Sequence, residues 1–121
     1  PLYSSAASDV YKRQAFNNQG LAYFEKDEIT SSIKLFEKAI SIEDNAEPLL
    51  GLASCLRLKD IKFALELAKK SLAKDPNYVN YNYRKEQLWG EKLQASTEIL
   101  LQNKQLQDYV LLAKSKIEAS S

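Results

Sequence analysis

The chain has 121 residues, close to the size of one domain, and its apolar fraction of 45% and charged fraction of 27% are those of a globular protein. A formal net charge of +1 gives no electrostatic reason to expect a nucleic acid or an anionic membrane as a partner. The sequence has no histidine and a single cysteine, Cys55, which removes the commonest general base and metal ligand and excludes an internal disulfide.

The first fourteen residues differ in character from the rest. Residues 4–14 resemble, in frame, the translation of a transposase adapter used to prepare sequencing libraries; the alternative is a native Ser/Ala-rich amphipathic segment. We therefore exclude residues 1–14 and expect the native domain at 15–121, with its true N-terminus upstream. Removing the segment takes away two of the 17 basic and one of the 16 acidic residues, which leaves no net charge. The localisation stays open, with the cytoplasm as the default.

The next stretch, residues 15–44, has the pattern of a helical hairpin. Ile29, Ile33 and Phe36 recur at spacings of four and three, which is the apolar stripe of a helix that packs on one face. In the preceding helix Gly20 is small enough for two antiparallel helices to approach closely. This segment is therefore predicted to be two antiparallel helices.

Residues 45–76 repeat the pattern. Ala53 follows Gly20 after 33 residues, and Asn45 and Asp60 are expected N-caps of the two helices. The inward stripe of the second helix is expected to consist of Phe63, Ala64, Leu67, Ala68, Ser71 and Leu72. A second hairpin is therefore predicted, with a short turn between its helices.

These two units resemble the tetratricopeptide repeat (TPR), a hairpin of about 34 residues with set small, aromatic and closing Pro positions. The matching residues are Phe16, Gly20, Tyr23, Ser32, Phe36, Ala39, Leu49, Leu52, Ala53, Leu56, Ala64, Ala68, Ser71 and Pro76. Two positions depart from the family, because Gln19 stands where Leu is usual and Ala68 where an aromatic is usual. The resemblance implies an all-α fold of antiparallel helical hairpins, stacked as a short α-solenoid.

Beyond Pro76 the pattern weakens into a degenerate third unit over 77–102. A helix is predicted over 78–89, and its inward residues are expected to be Tyr81, Lys85, Leu88 and Trp89. Whether 79–102 is one bent helix or two stays open. Residues 104–117 have the pattern of an amphipathic helix, which we expect to cap the array with a water-tolerant outer face.

Three groups of reactive or charged side chains were weighed as sites. The acidic turn with Glu25, Asp27 and Glu28 is expected to be a solvated loop that favours the next helix N-terminus; ion binding is the alternative. Cys55 is expected to be a small buried hydrophobe, with a reactive thiol as the alternative.

The third group is the run of Tyr78, Tyr81 and Tyr83 beside Arg84, which could stack on bases and contact phosphates. On an ideal helix Tyr81 and Tyr83 point roughly 200° apart, so they do not form one platform. We therefore expect no nucleic acid as a partner.

Motifs for catalysis are missing from the sequence. It has no glycine-rich phosphate loop, no Cys-x-x-Cys pair and no acidic cluster at metal-ligand spacing. No apolar run approaches the roughly 18 residues of a membrane helix. We therefore predict no enzyme activity, no cofactor, no metal and no membrane segment in this chain.

The resemblance implies that another protein binds as a peptide or helical segment along the concave face made by the first helices of each unit. The candidate groove residues are Asn17, Leu21, Phe24, Leu50, Ser54 and Arg57. Two alternatives stay open. The groove could be filled intramolecularly, for example by a helix upstream of Ala15, and be purely structural, or the repeats could be the non-catalytic C-terminal region of a larger enzyme whose active domain lies upstream. The identity of the partner and the oligomeric state are not indicated.

Overall fold

The structure, a computed structural model, describes the backbone from residue 2 and the side chains from residue 8, and this part of the chain contains no strand. Its helices are α1 (Leu2–Glu25), α2 (Ile29–Ile42), α3 (Ala46–Leu56), α4 (Ile61–Lys74), α5 (Tyr81–Glu86), α6 (Glu91–Leu101) and α7 (Gln107–Ser120), with short 3-10 turns at Pro76–Val79 and Lys104–Leu106. The all-α prediction is confirmed. Helix α1 includes the adapter-like residues 4–14. Of residues 2–7 only the backbone is described, and residue 1 lies outside the described part of the chain.

The first four helices form two hairpins, α1 with α2 and α3 with α4, as the apolar stripes predict. Each hairpin contains one buried hydroxyl that bonds across it. Ser32 Oγ in α2 donates to the carbonyl oxygen of Gly20 at 2.7 Å, and Ser71 Oγ in α4 donates to that of Ala46 at 2.7 Å. These serines are buried at positions that match the repeat pattern, and their hydrogen bonds satisfy groups that would otherwise cost free energy.

The aromatic ring of Phe36 joins the two hairpins. It is fully buried between α1 and α3, where both facing residues are glycines. A Cβ at Gly20 would lie 2.9 Å from the ring, and one at Gly51 would lie 2.7 Å from it. The sequence indicated Gly20 for such a close approach but assigned the matching role in the second unit to Ala53. Ala53 is buried too, but it lies two residues after Gly51 and so on another side of α3.

The second hairpin differs from the expected pattern at two side chains of α4. Phe63 is exposed, whereas Leu65, which was not expected inside, is buried. The buried arc of α4 is centred on Ala64 and Ala68, so on ideal geometry Phe63 lies more than about 100° from its centre. Asp60 caps α4 as predicted, because its carboxylate accepts from the Phe63 amide at 3.2 Å.

The segment after Pro76 forms two helices, since α5 ends at Glu86 and α6 begins at Glu91. Of the four residues expected inside, Trp89 is buried and Tyr81 half-buried, whereas Lys85 and Leu88 are exposed. Leu88 has a φ of 69°, in the left-handed region, so the helical phase assumed across 78–89 is lost at this turn.

Arg84 takes the interior position instead. Its side chain is 0% exposed, and its Nε donates to Gln94 Oε1 at 2.6 Å while one Nη donates to the carbonyl of Tyr78 at 2.7 Å. The other Nη pairs with Glu98. Burial lowers the pKa of Arg84, and the Glu98 carboxylate counteracts this. Through these three contacts the guanidinium connects α5 with α6 and with the preceding 3-10 turn.

The last helix, α7, packs on α4 and on the 3-10 turn at Pro76–Val79. Val110 and Ala113 are buried and Ile117 is half-buried on this inner side. The opposite side exposes Leu111 and Leu112. A terminal helix was expected here, and its outer face combines exposed polar side chains with these two leucines.

The Gly51→Ala variant tests the contact with Phe36. Helix propensity alone predicts a gain of about 1 kcal/mol for this change inside α3. Because the new methyl group overlaps a fully buried ring, we expect instead a net loss of about 1–2 kcal/mol in the free energy of unfolding, measured by urea denaturation.

The Phe36→Leu background is the control for this prediction. There the overlap is relieved, and Gly51→Ala is expected to be neutral or stabilising relative to Phe36→Leu alone. An equal loss in both backgrounds would contradict the contact as the cause.

Candidate functional site

The concave face of α1 and α3 is occupied by α6, which packs against both helices. Of the six predicted groove residues, Asn17, Leu21, Phe24, Leu50 and Ser54 are buried. The sixth, Arg57, is half-buried. The structure brings the apolar members together in one core rather than along an open groove. The helix that covers them lies downstream in the same chain, so the groove is filled intramolecularly, as the structural alternative supposed, but not by an upstream helix.

One end of α6 is held by Glu25, at the C-terminal end of α1. Its two carboxylate oxygens accept from the backbone amides of Lys92 and Leu93, each at 3.0 Å. A carboxylate at this position satisfies free N–H groups and favours the positive end of the helix dipole. A Cβ at Gly90 would overlap the Glu25 carboxyl group, so a larger residue at the start of α6 would displace Glu25 from its cap. The acidic turn is thus only partly the solvated loop that was expected.

The middle of α6 meets α3 through small hydroxyl side chains. The hydroxyl oxygens of Ser54 and Thr97 lie 2.7 Å apart, and Ser96 Oγ donates to the carbonyl oxygen of Ser54 at 2.8 Å. Arg57 Nε donates to Ser96 Oγ at 3.3 Å. Two of the predicted groove residues, Ser54 and Arg57, therefore bind α6 of their own chain.

The chain just before α6 is held by Glu47, near the start of α3. Its carboxylate accepts from Asn17 Nδ2 and from Trp89 Nε1, both at 2.8 Å. Burial raises the pKa of Glu47, and these two hydrogen bonds counteract the rise.

Trp89 in turn packs against Tyr78, with ring centroids 6.1 Å apart, and Tyr83 meets Tyr78 edge-on, with ring centroids 5.0 Å apart. Tyr78 and Tyr83 therefore form an internal aromatic cluster.

An open cleft of about 500 Å³ remains beside the N-terminal half of α6. It lies between the turn after α1, the end of α3 and the outer side of α6, and we call it the α3–α6 cleft. Its apolar lining consists of Phe24, Ile29, Cys55, Leu58, Ala95 and Ile99. Three of the predicted groove residues, Phe24, Ser54 and Arg57, line this cleft, whereas Asn17, Leu21 and Leu50 do not.

Two side chains of this cleft expose large apolar surfaces. Leu58 is 83% exposed and Ile99 is 52% exposed. The sequence reasoning missed both as site residues. The exposure of Leu58 could have been predicted from the sequence. Leu58 stands between Arg57 and Lys59 in a turn, where an apolar side chain has no helix face to pack on.

The rim of the α3–α6 cleft has an excess of positive charge. Lys92 Nζ pairs with Asp27 Oδ2 at 2.6 Å, which leaves Arg57 and Lys59 as the other charged groups of the lining. Because both sit beside an apolar surface, a carboxylate at the rim would meet a favourable potential.

Cys55 contributes its thiol to the inner wall of the cleft. Burial raises the pKa of Cys55 to about 11, and the hydrogen bond with Ser32, 3.6 Å away, counteracts the rise. Cys55 is also buried in the structure, so the expectation of a small buried hydrophobe is confirmed.

Two other kinds of site were sought in the described part of the chain. Within it, no three cysteine or acidic side chains approach closely enough to bind a metal ion together. The helices described there include none with the length and apolar character needed to cross a membrane.

No family model, no curated protein and no solved structure matches this chain. The resemblance to the tetratricopeptide repeat therefore rests on the residues that match the pattern. A functional conclusion has to come from the geometry of the site itself.

The Glu25→Ala and Gly90→Ala variants test how α6 is held. We expect each to lower the free energy of unfolding by about 1 kcal/mol, since each removes the same cap of α6. The double variant should lose little more than either single one, because both act through one contact. Glu28→Ala, in the same turn but without a side-chain cap bond, is the control and should have little effect.

A Leu50→Asp variant tests whether the concave face is core. Leu50 is fully buried, so an unpaired carboxylate there is expected to unfold the chain, as seen by the loss of a cooperative thermal transition in circular dichroism. Leu58→Asp, the same change at an exposed leucine, is expected to leave the transition nearly unchanged. A folded Leu50→Asp variant would show instead that α6 leaves this face readily.

Proposed function

We propose that this chain is a protein-interaction module that binds a short segment of another protein in the α3–α6 cleft. The observation that supports this most directly is the pair of exposed apolar side chains, Leu58 and Ile99, that lie across one cleft. Exposed apolar surface grouped in a concavity is typical of binding sites, whereas single exposed apolar residues are common everywhere.

The lining of the cleft defines the chemistry of the partner. A volume of about 500 Å³ lies within the range of ligand sites and accommodates an apolar side chain between Leu58 and Ile99. Arg57 and Lys59 at the rim favour an acidic group beside it. The segment bound is therefore one that carries a large apolar residue next to Asp, Glu or a terminal carboxylate.

The way of binding follows from the all-helical fold. The described part of the chain has no sheet edge to which an extended strand could add. The partner would therefore be held mainly by its side chains, as a helical or extended segment in a groove between helices. The resemblance to tetratricopeptide repeats agrees with this proposal, although here α6 occupies most of the face that such repeats present.

A purely structural role is the second candidate, and the occupied concave face favours it. If α6 belongs permanently to the core, the repeats would serve to hold neighbouring parts of a longer chain. The two candidates differ in whether the cleft binds a free peptide, which the following experiment decides.

The experiment is selection of peptides from a random display library on the wild-type chain, followed by calorimetry with the selected peptide. We expect enriched peptides to combine an apolar anchor with an acidic neighbour and to bind with a Kd in the range of about 1–100 μM. Leu58→Glu combined with Ile99→Glu should weaken binding at least about tenfold, because carboxylates then face the acidic partner.

Leu112→Glu is the matched control, because it places the same charge at an exposed leucine on α7, away from the cleft. It should leave the affinity of the peptide unchanged. If no peptide is enriched, or if the cleft variants bind the selected peptide as tightly as wild type, the structural role is favoured and the binding proposal fails.

A further inference from the structure

The last helix of the chain has apolar side chains on two opposite sides. Val110, Ala113 and Ile117 face the rest of the protein, whereas Leu111 and Leu112 are exposed, the latter 54%. A helix that only covers the end of a core needs one apolar side. The outer face of α7 therefore has the composition of a surface that packs against something.

The charges on this face have a regular arrangement. Asp108, Leu112 and Lys116 follow one another at intervals of four residues and so lie along one line of the helix. Both charged side chains are exposed, and among the described residues neither forms an ion pair within the chain. Leu111, Ser115 and Ala119 form a second line beside the first. Leu111 and Leu112 are therefore neighbours, and the rest of the second line has only small side chains.

We propose that this outer face binds a second copy of the same chain, with the two α7 helices antiparallel about a two-fold axis next to Leu112. In that arrangement Leu112 of each copy meets its counterpart. Asp108 and Lys116 are equally far from the axis, about 6 Å on an ideal helix. Each Asp108 therefore faces Lys116 of the other copy, and two equivalent ion pairs form.

The charge pattern selects this partner and this orientation. A parallel pair of helices would put Asp108 beside Asp108 and Lys116 beside Lys116, which is repulsive. An unrelated partner has no reason to match a sequence that is complementary to itself when reversed. Self-complementarity of one patch is the defining property of a two-fold interface.

The edge of α4 adds apolar surface next to this face. Phe63 and Tyr109 are exposed and line one shallow depression between α4 and α7. Lys69 lies over the ring of Tyr109, with its Nζ 5.5 Å from the ring centroid. This edge gives a possible contact surface to the ring of Phe63, which lies outside the buried arc of α4.

The size of the contact sets its strength. The 14 residues of α7 span about 21 Å, so the interface is smaller than the roughly 1,200–2,000 Å² of a stable complex. The dimer is therefore weak and depends on concentration, and part of its stability is lost at high salt because the ion pairs are exposed.

Sedimentation equilibrium of the full chain, from about 10 μM to about 1 mM, tests the proposal in the range where contacts of this size dissociate. The average mass should rise from 13.7 kDa towards twice that value. Asp108→Lys and Lys116→Asp should each weaken association roughly tenfold or more, because like charges then face each other at both pairs. An equimolar mixture of the two variants should associate at least as tightly as wild type.

The comparison of wild type, the single variants and their mixture is decisive. A parallel pair of copies would let the mixture associate but would bring like charges together in the wild type, whereas an antiparallel pair forms both ion pairs in the wild type and in the mixture. Leu112→Glu should abolish association, whereas Leu58→Glu in the α3–α6 cleft should leave it unchanged, and circular dichroism should show all variants folded. A chain that stays at 13.7 kDa throughout, or variants that fail to associate when mixed, would overturn the proposal. Those results would mean that the outer face of α7 is not a surface for self-association.

Discussion

The ring of Phe36 determines the spacing of the helices on which the rest of the structure is built. It is fully buried between Gly20 of α1 and Gly51 of α3, and neither position has room for a Cβ. Because one rigid ring separates these two helices, their concave sides form a surface of defined width. The buried hydroxyls of Ser32 and Ser71 then hold the second helix of each hairpin against the first. Such close packing of a buried ring against backbone leaves little freedom for the helices to shift.

Helix α6 occupies that concave surface and is held there by hydrogen bonds along its length as well as by buried apolar side chains. Glu25 caps its N-terminus, Ser54 meets Ser96 and Thr97 in its middle, and Glu47 binds the Trp89 side chain just before it. Directional contacts of this kind fix one position of α6 more strictly than apolar packing alone would, because each leaves an unsatisfied group if α6 shifts. The face that repeat proteins of this pattern are expected to present is therefore mainly interior here.

The two surfaces proposed for binding differ in the chemistry of their exposed side chains. The α3–α6 cleft combines Leu58 and Ile99 with the positive charge of Arg57 and Lys59, whereas the outer face of α7 combines leucines with charges of both signs. An excess of one charge suits a partner of the opposite charge, and a balanced arrangement suits a copy of itself. Because the two surfaces lie on different helices, the module would be able to use both at once.

The sequence by itself determined the helices of both hairpins and much of their core. The apolar stripes, the Gly20 contact, the Asp60 cap and the buried Cys55 all follow from side chains within a few turns of one another. Only the tertiary structure decided where α6 lies, that Arg84 is interior, and which leucines stay exposed. These features depend on contacts such as Glu25 with Leu93, 68 residues apart, or on breaks such as the one at Leu88 that reset the helical phase. Helical periodicity reports which side of a helix is buried, but not which distant element buries it.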